Sequence, residues 1–411
     1  MSVSLSARGY SDGTEPEVLN LAASDFASMY TFTRASAATI TDIDGMLSEV
    51  GVDVPRLVQY DGEGNALGLL IEEQRTNLWT YSEDFTNAVW TKLSGNITSA
   101  GVTAPDGAAS SLVLNGDGAN AIHAIEESTG SYTAGDKLSI SVFMKNSGGS
   151  GSFGFITIRT TNFSLATLIV NLIDGTITSA SGGDSYEVKG PIMNGWYRVS
   201  LTATAVNTGT SRDINIGVTT NPTNTTSSSS NSIYLFGAQL EEGSPSSYIP
   251  TAGTQVTRAA DDCVRVLGDE FNPNEGTVYV EFKVLTVPLD TTILVSFNDG
   301  TTSNRALEIG FKDNGALQIF TSGVSPSNTL PYVVGQTYRI ATSFNDTKMG
   351  VAVDGVLDSQ NGAPTATGLN QIQVGKLAGL ASSDATAIVK DLQYFPTALT
   401  EAELITLTGG T

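Results

Sequence analysis

The chain has 411 residues, enough for two or three domains, and its 43 glycines together with many Ser and Thr residues are typical of turn-rich all-β proteins. Its 42 acidic residues against 20 basic ones give a formal net charge of −22, which argues against nucleic-acid and anionic-membrane partners because such binding depends on Lys and Arg. The single cysteine, Cys263, and the single histidine, His123, exclude an intrachain disulfide, a cysteine-based zinc site and a histidine-cluster metal site.

Residues 1–77 are predicted to form an extended leader with little regular periodicity. Turn chemistry recurs at Asp44-Gly45 and Asp61-Gly62, and the apolar run at 68–72 predicts a strand. The first residues show no basic stretch followed by an apolar core, so no secretory signal is predicted. The leader could cover an edge of the next domain, and residues 1–30 are the predicted attachment segment to another protein.

Residues 78–262 carry a succession of short predicted strands. Alternating apolar and polar residues predict one buried and one exposed face for each strand. The main examples are 138–144, 154–158, 168–170, 196–201 and 233–240. Asp106-Gly107, Asp174-Gly175 and Asn194-Gly195 are tight-turn signals between strands. Short strands joined by such turns predict a β-sandwich of the jelly-roll type.

Residues 263–411 are predicted to form a second sandwich, after a break in the strand pattern at 251–262. The predicted strands are 277–284, 293–297, 307–311, 317–320, 337–343 and 349–353. Near the end, Thr400 and Glu403 have the spacing of a capping box, which predicts a short helix beginning after Thr400. The predicted fold class is therefore all-β, with two tandem antiparallel β-sandwiches behind an extended N-terminal leader.

No constellation in the sequence predicts catalysis. Glycoside hydrolysis needs two carboxylates facing each other across a cleft, whereas adjacent residues in a strand point to opposite faces. The pairs Glu72-Glu73, Glu126-Glu127 and Glu241-Glu242 therefore do not form such a couple by themselves. His123 lies in an alternating strand run and Cys263 lies at the domain boundary, so both are predicted to be structural. We predict that the protein is not an enzyme.

Several motifs follow one another in order over residues 30–262. They are Phe32–Thr39, Val54–Arg56, Gly68–Leu78, Tyr81–Phe85 with Trp90, Gly237–Glu241, Ser247–Thr251 and Thr257–Asp261. Together they resemble a module found in many bacteriophage tail and virion proteins. Residues 271–277 and 391–400 resemble the opening and the end of a concanavalin-A-like (laminin-G-type) sandwich.

The resemblance implies a bacteriophage virion structural protein, a tail fibre or fibre-tip component that recognises a host-surface glycan. It implies other phage virion proteins and a host cell-surface glycan as partners, a homotrimer, and a location on the tail or capsid surface after synthesis in the host cytoplasm. No nucleic-acid partner is expected, and no membrane insertion, because no stretch reaches the roughly 18 apolar residues of a spanning helix. A capsid decoration or head-fibre protein and a polysaccharide depolymerase stay open as alternatives.

Glycan binding would use exposed aromatic rings beside polar groups, because a ring offers flat apolar area to sugar C–H groups. Tyr132, Phe163, Tyr186 and Tyr332 lie in or near predicted loops and are the candidates for glycan contact. Core packing is the competing interpretation for each of them, and the three tryptophans are predicted to be core residues.

The resemblance also implies that calcium is the one candidate cofactor, because related domains often hold an ion through loop carboxylates. The loop acids of the right kind are Asp42, Asp44, Asp117, Asp299 and Asp346. No twelve-residue calcium loop is present, and turn formation is the competing interpretation.

Four arginines lie within the motifs that resemble the bacteriophage module, in a chain where basic residues are scarce: Arg34, Arg56, Arg75 and Arg258. They are predicted to form bidentate pairs with the acids of the same motifs and so to dock the leader.

Overall fold

A computed structural model describes most of the chain. The described residues are 17–18, 26–42, 44–60, 66–148, 153–159, 166–228, 230–288, 291–321, 324–358, 360–361, 366–377 and 385–409. Strands dominate these residues and pair antiparallel, which confirms the predicted all-β class of tandem sandwiches. None of the described helices is long and apolar enough to cross a membrane.

The strands and helices follow one another in three stretches of the chain. The first stretch contains β1 (Glu17–Val18), α1 (Phe26–Met29), β2 (Thr31–Thr33), β3 (Ala38–Thr41), β4 (Leu47–Val50), β5 (Arg56–Tyr60) and β6 (Ala66–Ile71). The second contains β7 (Arg75–Asn77), β8 (Thr91–Leu93), β9 (Gly95–Ser99), β10 (Leu112–Gly116), β11 (Asn120–Thr129), β12 (Lys137–Asn146), β13 (Phe153–Arg159), β14 (Ala166–Asn171), β15 (Ile177–Ser181), β16 (Ser185–Ile192), β17 (Trp196–Thr204), β18 (Arg212–Thr219), β19 (Thr226–Ser228), β20 (Ser232–Glu242) and β21 (Val256–Arg258). The third contains β22 (Asp262–Val266), β23 (Gly276–Val284), β24 (Thr292–Asn298), β25 (Arg305–Phe311), β26 (Ala316–Thr321), β27 (Val324–Pro331), β28 (Thr337–Phe344), β29 (Lys348–Val353), β30 (Val356–Leu357), β31 (Gln360–Asn361), β32 (Gln371–Val374), β33 (Ala387–Phe395) and α2 (Glu401–Leu407).

The chain forms two compact units. Residues 36–51 and 75–258 form one, named here the central unit, and residues 1–35, 52–74 and 259–411 form the other, named the C-terminal unit. This division differs from the sequence-based boundaries 1–77, 78–262 and 263–411, because the leader does not stand apart. The described leader strands β1, β2, β5 and β6 pair within the C-terminal unit, and the β3–β4 hairpin belongs to the central unit.

The central unit is a sandwich of two sheets. One sheet has the order β16-β17-β12-β20-β10-β9, and the other, named here the β18 sheet, has the order β15-β14-β13-β18-β11-β19 with β8 also on β11. Alternation within the strands fills the space between the sheets. In β12, for example, Leu138, Ile140, Val142 and Met144 are core residues, as the pattern over 138–144 predicts. The opposite face of β12, which was predicted to be exposed, is buried too, because Phe143 packs there against Phe236 and Tyr248.

The C-terminal unit is also a sandwich. Its β23 sheet has the order β30-β29-β28-β23-β33-β6-β5, with β1 on β33 and β31 on β29, and its second sheet has the order β2-β22-β32-β24-β25-β26-β27. The leader contributes Phe26, Tyr30, Phe32, Leu69 and Ile71 to the core between these sheets. Phe32, Leu69 and Ile71 are buried because β2 and β6 are inserted in the two ladders, and Phe26 is contributed by α1. These leader segments are therefore part of this sandwich.

The helix α2 packs on the outer face of the β23 sheet. The predicted capping box is confirmed: the hydroxyl of Thr400 accepts the Glu403 amide at 3.4 Å, and the Glu403 carboxylate accepts the Thr400 amide at 2.8 Å. Leu404 is buried against Tyr279 and its neighbours. Gly350 permits this approach, because a Cβ there would lie 2.7 Å from Cδ1 of Leu404.

Candidate functional site

Two of the four aromatic candidates are buried. Tyr132 is 3% exposed, with the Arg212 guanidinium 4.7 Å from its ring centre, and Tyr332 is 7% exposed, with its hydroxyl donating to the Lys312 carbonyl. Burial also raises the pKa of Tyr332 to about 12. These two rings are therefore core residues, which corrects the expectation of exposure; their hydroxyl-bearing rings can be buried because polar groups of their own unit contact them.

Tyr186 and Phe163 are the other two aromatic candidates. Tyr186 is partly buried in β16, and its hydroxyl accepts a hydrogen bond from the Gly183 amide at 2.6 Å. Phe163 lies outside the described residues. Glycan contact by Tyr186 and Phe163 stays a prediction.

The loop acids considered for calcium mostly shape turns. Asp42, Asp117 and Asp299 each accept, through Oδ1, the amide two residues ahead at 3.0, 2.9 and 2.9 Å. Asp44 lies in a turn and Asp346 in a bend. In the part of the chain that the structure describes, no three His, Cys, Asp or Glu side chains gather as a metal site requires. Calcium binding therefore stays a prediction.

Two of the four highlighted arginines enter a buried ion network in the C-terminal unit. Arg56 contacts Glu72 and Asp261 at 2.5 Å each, and Arg34 contacts the second oxygen of Asp261 at 3.1 Å. Asp261 also accepts the Glu72 backbone amide at 2.9 Å. The predicted pairing of arginines with carboxylates is thus confirmed for Arg34 and Arg56. Arg75 and Arg258 lie opposite each other in the β7–β21 pair of the central unit.

In these contacts two guanidinium groups face two carboxylates. Burial lowers the pKa of Arg56, but the negative charges of Glu72 and Asp261 more than offset burial, so its pKa lies above the usual value. The four side chains are at most 4% exposed. The network therefore fixes β5 and β6 within the C-terminal unit and offers no surface to a ligand.

A polar area lies on the outer face of the β18 sheet in the central unit. Ile125, Ile214 and Ile156 in this sheet point into the core, so the residues that alternate with them along β11, β18 and β13 point outward. The outward residues form two rows across β11, β18 and β13, named here the sheet-face strip. The strip consists of Glu126, Asn215 and Thr157 in one row and Ser128, Asp213 and Arg159 in the next.

The first row of the strip is fixed by its own hydrogen bonds. The Asn215 amide donates to Glu126 at 2.7 Å, and the Thr157 hydroxyl donates to the amide oxygen of Asn215 at 3.3 Å. In the second row, the Ser128 hydroxyl donates to Asp213 at 2.7 Å. Exposure rises from the first row, where Asn215 is fully buried, to the second, where Ser128 and Arg159 are exposed. The second row of the strip thus presents donors and acceptors at the surface of the sheet.

Glu127 lies on the opposite side of β11 from the strip and points toward the core. Its Oε2 has no hydrogen-bond partner among the described residues. Burial raises the pKa of the Glu127 carboxyl to about 7. The charged form of this carboxyl destabilises the folded unit, because it is partly buried without a hydrogen-bond partner for Oε2 among the described residues.

A pair of acids lies on the outer face of the β23 sheet in the C-terminal unit. Glu281 and Asp391 are directly opposite each other in the β23–β33 ladder. Arg339 donates to Glu281 at 2.9 Å, and Lys390 lies 3.8 Å from the same carboxylate. Burial, and then the charge of Glu281, raise the pKa of Asp391 above its usual value, although Gln393 donates to it at 2.6 Å.

Sequence reasoning missed the strip and this acid pair. Alternation over 277–284 indicated that Glu281 shares a face with Tyr279, but nothing local indicated that Asp391 lies opposite it. The same holds for the strip, whose rows join residues of three strands.

The single histidine and cysteine are both buried. Cys263 in β22 is fully buried, and burial together with the charges of Asp262 and Asp261 raises the pKa of its thiol. His123 in β11 is fully buried too, with backbone carbonyls around its ring. Neither side chain is accessible to a substrate, in agreement with the structural roles predicted for them.

A comparison with known protein families gives a match that lies mainly in the C-terminal unit. Residues 258–405 match the family model of the concanavalin A-like lectin/glucanases superfamily. This match supports the predicted concanavalin A-like fold of the second sandwich. No curated protein matches the chain.

Several solved structures are similar to parts of the chain at low identity. CBM40 of the Ruminococcus gnavus IT-sialidase, bound to α2,3-sialyllactose, is 16% identical over 34% of this chain and 84% of its own, with a TM-score of 0.29. Domain 4 of AbnA, a GH43 extracellular arabinanase from Geobacillus stearothermophilus in complex with arabinotriose, is 18% identical over 41% and 82%, with a TM-score of 0.30. The botulinum neurotoxin serotype D binding domain is 11% identical over 36% and 40%, with a TM-score of 0.29.

Proposed function

We propose that this protein recognises a cell-surface glycan as a structural component of a bacteriophage virion. The observation that carries glycan recognition is the concanavalin A-like lectin/glucanase domain at residues 258–405. A second sandwich with a hydrogen-bonded polar sheet face adds to that support. Glycan recognition by a sandwich needs fixed donors and acceptors, because sugar hydroxyls bind through paired hydrogen bonds.

In the central unit, the sheet-face strip is the proposed glycan contact. Asp213 and Arg159 are planar groups on neighbouring strands, and each can bond two vicinal hydroxyls at once. The adjacent row is held by the Asn215–Glu126 hydrogen bond, and Asp213 accepts a hydrogen bond from the Ser128 hydroxyl.

The virion context is supported by the ordered motifs over residues 30–262. The proposed role is a tail fibre or fibre-tip component, assembled as a homotrimer and attached to other virion proteins. A capsid decoration protein is the alternative location. Intact particles labelled with an antibody against residues 263–411 distinguish them by electron microscopy: label on the tail supports the fibre, label over the head supports decoration, and unlabelled particles refute a virion role.

Glycan binding is tested with the full chain on an array of bacterial surface polysaccharides. The double variant Asp213→Asn with Arg159→Gln is expected to weaken binding at least tenfold. The matched control is Glu187→Gln with Lys189→Gln, which removes an exposed ion pair of 3.0 Å elsewhere in the central unit. Equal loss in both variants, or none in the first, refutes the strip as the contact. A wild-type chain that binds no polysaccharide refutes glycan recognition itself.

We further propose that the protein binds its glycan without cleaving it. The Glu281–Asp391 pair is the observation that favours the alternative, a depolymerase, because two carboxyls in different environments can divide acid and base roles. Incubation with a bound polysaccharide, followed by measurement of new reducing ends, decides between them. Release of reducing ends that Glu281→Gln abolishes would establish the depolymerase.

A further inference from the structure

The neutral side chains of the sheet-face strip direct their hydrogen-bond donors at other members of the strip. The Asn215 amide donates to Oε2 of Glu126 at 2.7 Å, and the Thr157 hydroxyl donates to Oδ1 of Asn215 at 3.3 Å. The Ser128 hydroxyl donates to Oδ1 of Asp213 at 2.7 Å. A hydroxyl carries a single O–H donor, so in this arrangement Thr157 and Ser128 have no second proton to offer to a ligand.

The groups of the strip that remain open to a ligand are mostly acceptors. Oε1 of Glu126 and Oδ2 of Asp213 make no hydrogen bond within the described residues, and a carboxylate oxygen can only accept. Arg159 is exposed and lies opposite Asp213 in the β13–β18 ladder, so its guanidinium supplies the donors of the strip. With two carboxylates and one guanidinium, the strip carries a net negative charge.

The neighbouring positions on the same face of the sheet carry no charge. In β8, Thr91 lies opposite Glu126, and in β14, Thr167 lies opposite Thr157. In β15, Ser181 lies opposite Thr167. These hydroxyl side chains extend the polar row on both sides and leave its net charge unchanged.

Arg212 in β18 and Lys92 in β8 are the other basic residues of the strands in this sheet, and both alternate with members of the outer face. The Arg212 guanidinium lies 4.7 Å from the centre of the buried Tyr132 ring. Lys92 pairs with Ile125, which points into the core, and its ammonium donates to two backbone carbonyls. Arg159 is therefore the cation that the strip presents to a ligand.

We propose that the glycan bound at the strip is uncharged and that the strip discriminates against sugars that carry a carboxylate. This inference rests on the proposed function of the strip as the glycan contact, and it specifies the class of sugar that the contact accepts. A sugar hydroxyl both donates and accepts, so neighbouring hydroxyls can donate to Glu126 and Asp213 and accept from Arg159. A sugar carboxylate can accept from Arg159 but has no proton for either acid.

A sugar carboxylate also meets repulsion at this surface. If Arg159 holds it, the carboxylate lies beside Asp213, because the two residues are directly opposite each other in the ladder. Like charges placed side by side in an interface disfavour binding strongly. The net charge of −22 adds a repulsion of longer range, which salt screens. We therefore expect a carboxylate on the sugar to weaken binding by about tenfold or more at low salt.

The test uses bacterial surface polysaccharides in matched forms that differ in charge. Each neutral polymer is compared with the same polymer oxidised at its primary hydroxyls to carboxylates, and each acidic polymer with its carboxyl-reduced form. Binding of the full chain is measured by biolayer interferometry at about 0.01 M salt, where charges interact over roughly 30 Å. The uncharged form is expected to bind more tightly by about tenfold or more, and the difference should narrow at about 1 M salt.

Two lysine variants separate the charge of the strip from the charge of the whole chain. Thr91 is exposed and lies opposite Glu126, so Thr91→Lys places a cation beside the strip. It is expected to raise the affinity for the carboxylate form by about threefold or more at low salt. The matched control is Thr98→Lys, which adds the same charge at an exposed position of β9, in the other sheet of the central unit.

Three results would overturn the proposal. Equal or tighter binding of the carboxylate forms, lost in the double variant Asp213→Asn with Arg159→Gln, would show that the strip binds glycan but accepts acidic sugars, and the proposed function would stand. An equal gain in Thr91→Lys and Thr98→Lys would assign the discrimination to the net charge of the chain. Failure to bind either form of any polysaccharide would refute glycan recognition itself, and this inference with it.

Discussion

Glu127 provides the sharpest prediction about stability. Its carboxyl points toward the core of the central unit, and its Oε2 has no partner among the described residues. Replacing it by Gln removes the charge and keeps the shape. We expect Glu127→Gln to stabilise the central unit at alkaline pH and to have little effect in mild acid.

The magnitude follows from the pKa of Glu127, which burial raises from 4.5 to about 7. A shift of that size corresponds to about 3.4 kcal/mol at roughly 1.4 kcal/mol per unit. Because the side chain is only partly buried, solvent screening reduces this to about 1–2 kcal/mol. The contribution of Glu127 to the free energy of unfolding is therefore largest below pH 4.5, and it is lost as the pH rises toward 7.

The assay is urea unfolding at several pH values, followed by tryptophan fluorescence. All three tryptophans lie in the central unit, at Trp79, Trp90 and Trp196, so the signal reports that unit alone. The advantage of Glu127→Gln over the wild type should grow from pH 5 to about pH 7, the pKa of the Glu127 carboxyl in the folded protein, and then level off by pH 8.

The control removes the same charge one residue away, on the other face of β11. Glu126→Gln alters a carboxylate that accepts the Asn215 amide, and it is expected not to stabilise the unit at pH 8. If the free energies of unfolding of Glu127→Gln and the wild type differ by the same amount at pH 5 and pH 8, the predicted titration of Glu127 is refuted.

Three further predictions concern the C-terminal unit, where Cys263 is a buried thiol whose reaction with a thiol reagent reports opening. Asp261→Asn leaves the guanidinium groups of the buried ion network undercompensated, and it should destabilise the unit by about 3–5 kcal/mol, with faster thiol labelling. Unchanged labelling would show that the network contributes no stability. Phe26→Ala removes a core side chain and should cost about 3 kcal/mol or more by the same measurement, whereas a detachable leader would give no change. Thr400→Ala removes the capping box and should cost about 1 kcal/mol in thermal unfolding; no loss would mean that α2 is held by packing alone.

Local patterns in the sequence predicted local structure well. The alternation over 277–284 predicted β23, which the structure places at Gly276–Val284, because that alternation depends only on which face of the strand is buried. The spacing of Thr400 and Glu403 predicted the start of α2 for the same reason, since a cap involves residues three apart. Such features need no knowledge of the rest of the fold.

The candidate sites depend on pairings between strands that are distant in the chain. Nothing near Arg34 or Arg56 in sequence indicates that Asp261 lies between them. The ring of Tyr132 was expected at a surface because its neighbours are turn-forming, but Arg212 and the Gly209 backbone cover it. The carbonyl oxygens around His123 are backbone groups, so no side-chain pattern could reveal them.

The discontinuity of the C-terminal unit has a consequence for synthesis on the ribosome. All segments of the central unit have been translated once residue 258 is made, whereas β2 must wait for β22, and the β5–β6 pair must wait for β33 before it can join its sheet. A nascent chain therefore can fold its central unit first, while β2 and one edge of β6 remain unpaired. Unpaired strand edges favour association between chains, so the interval before residue 395 emerges is when newly made copies are most exposed to aggregation and to capture by chaperones.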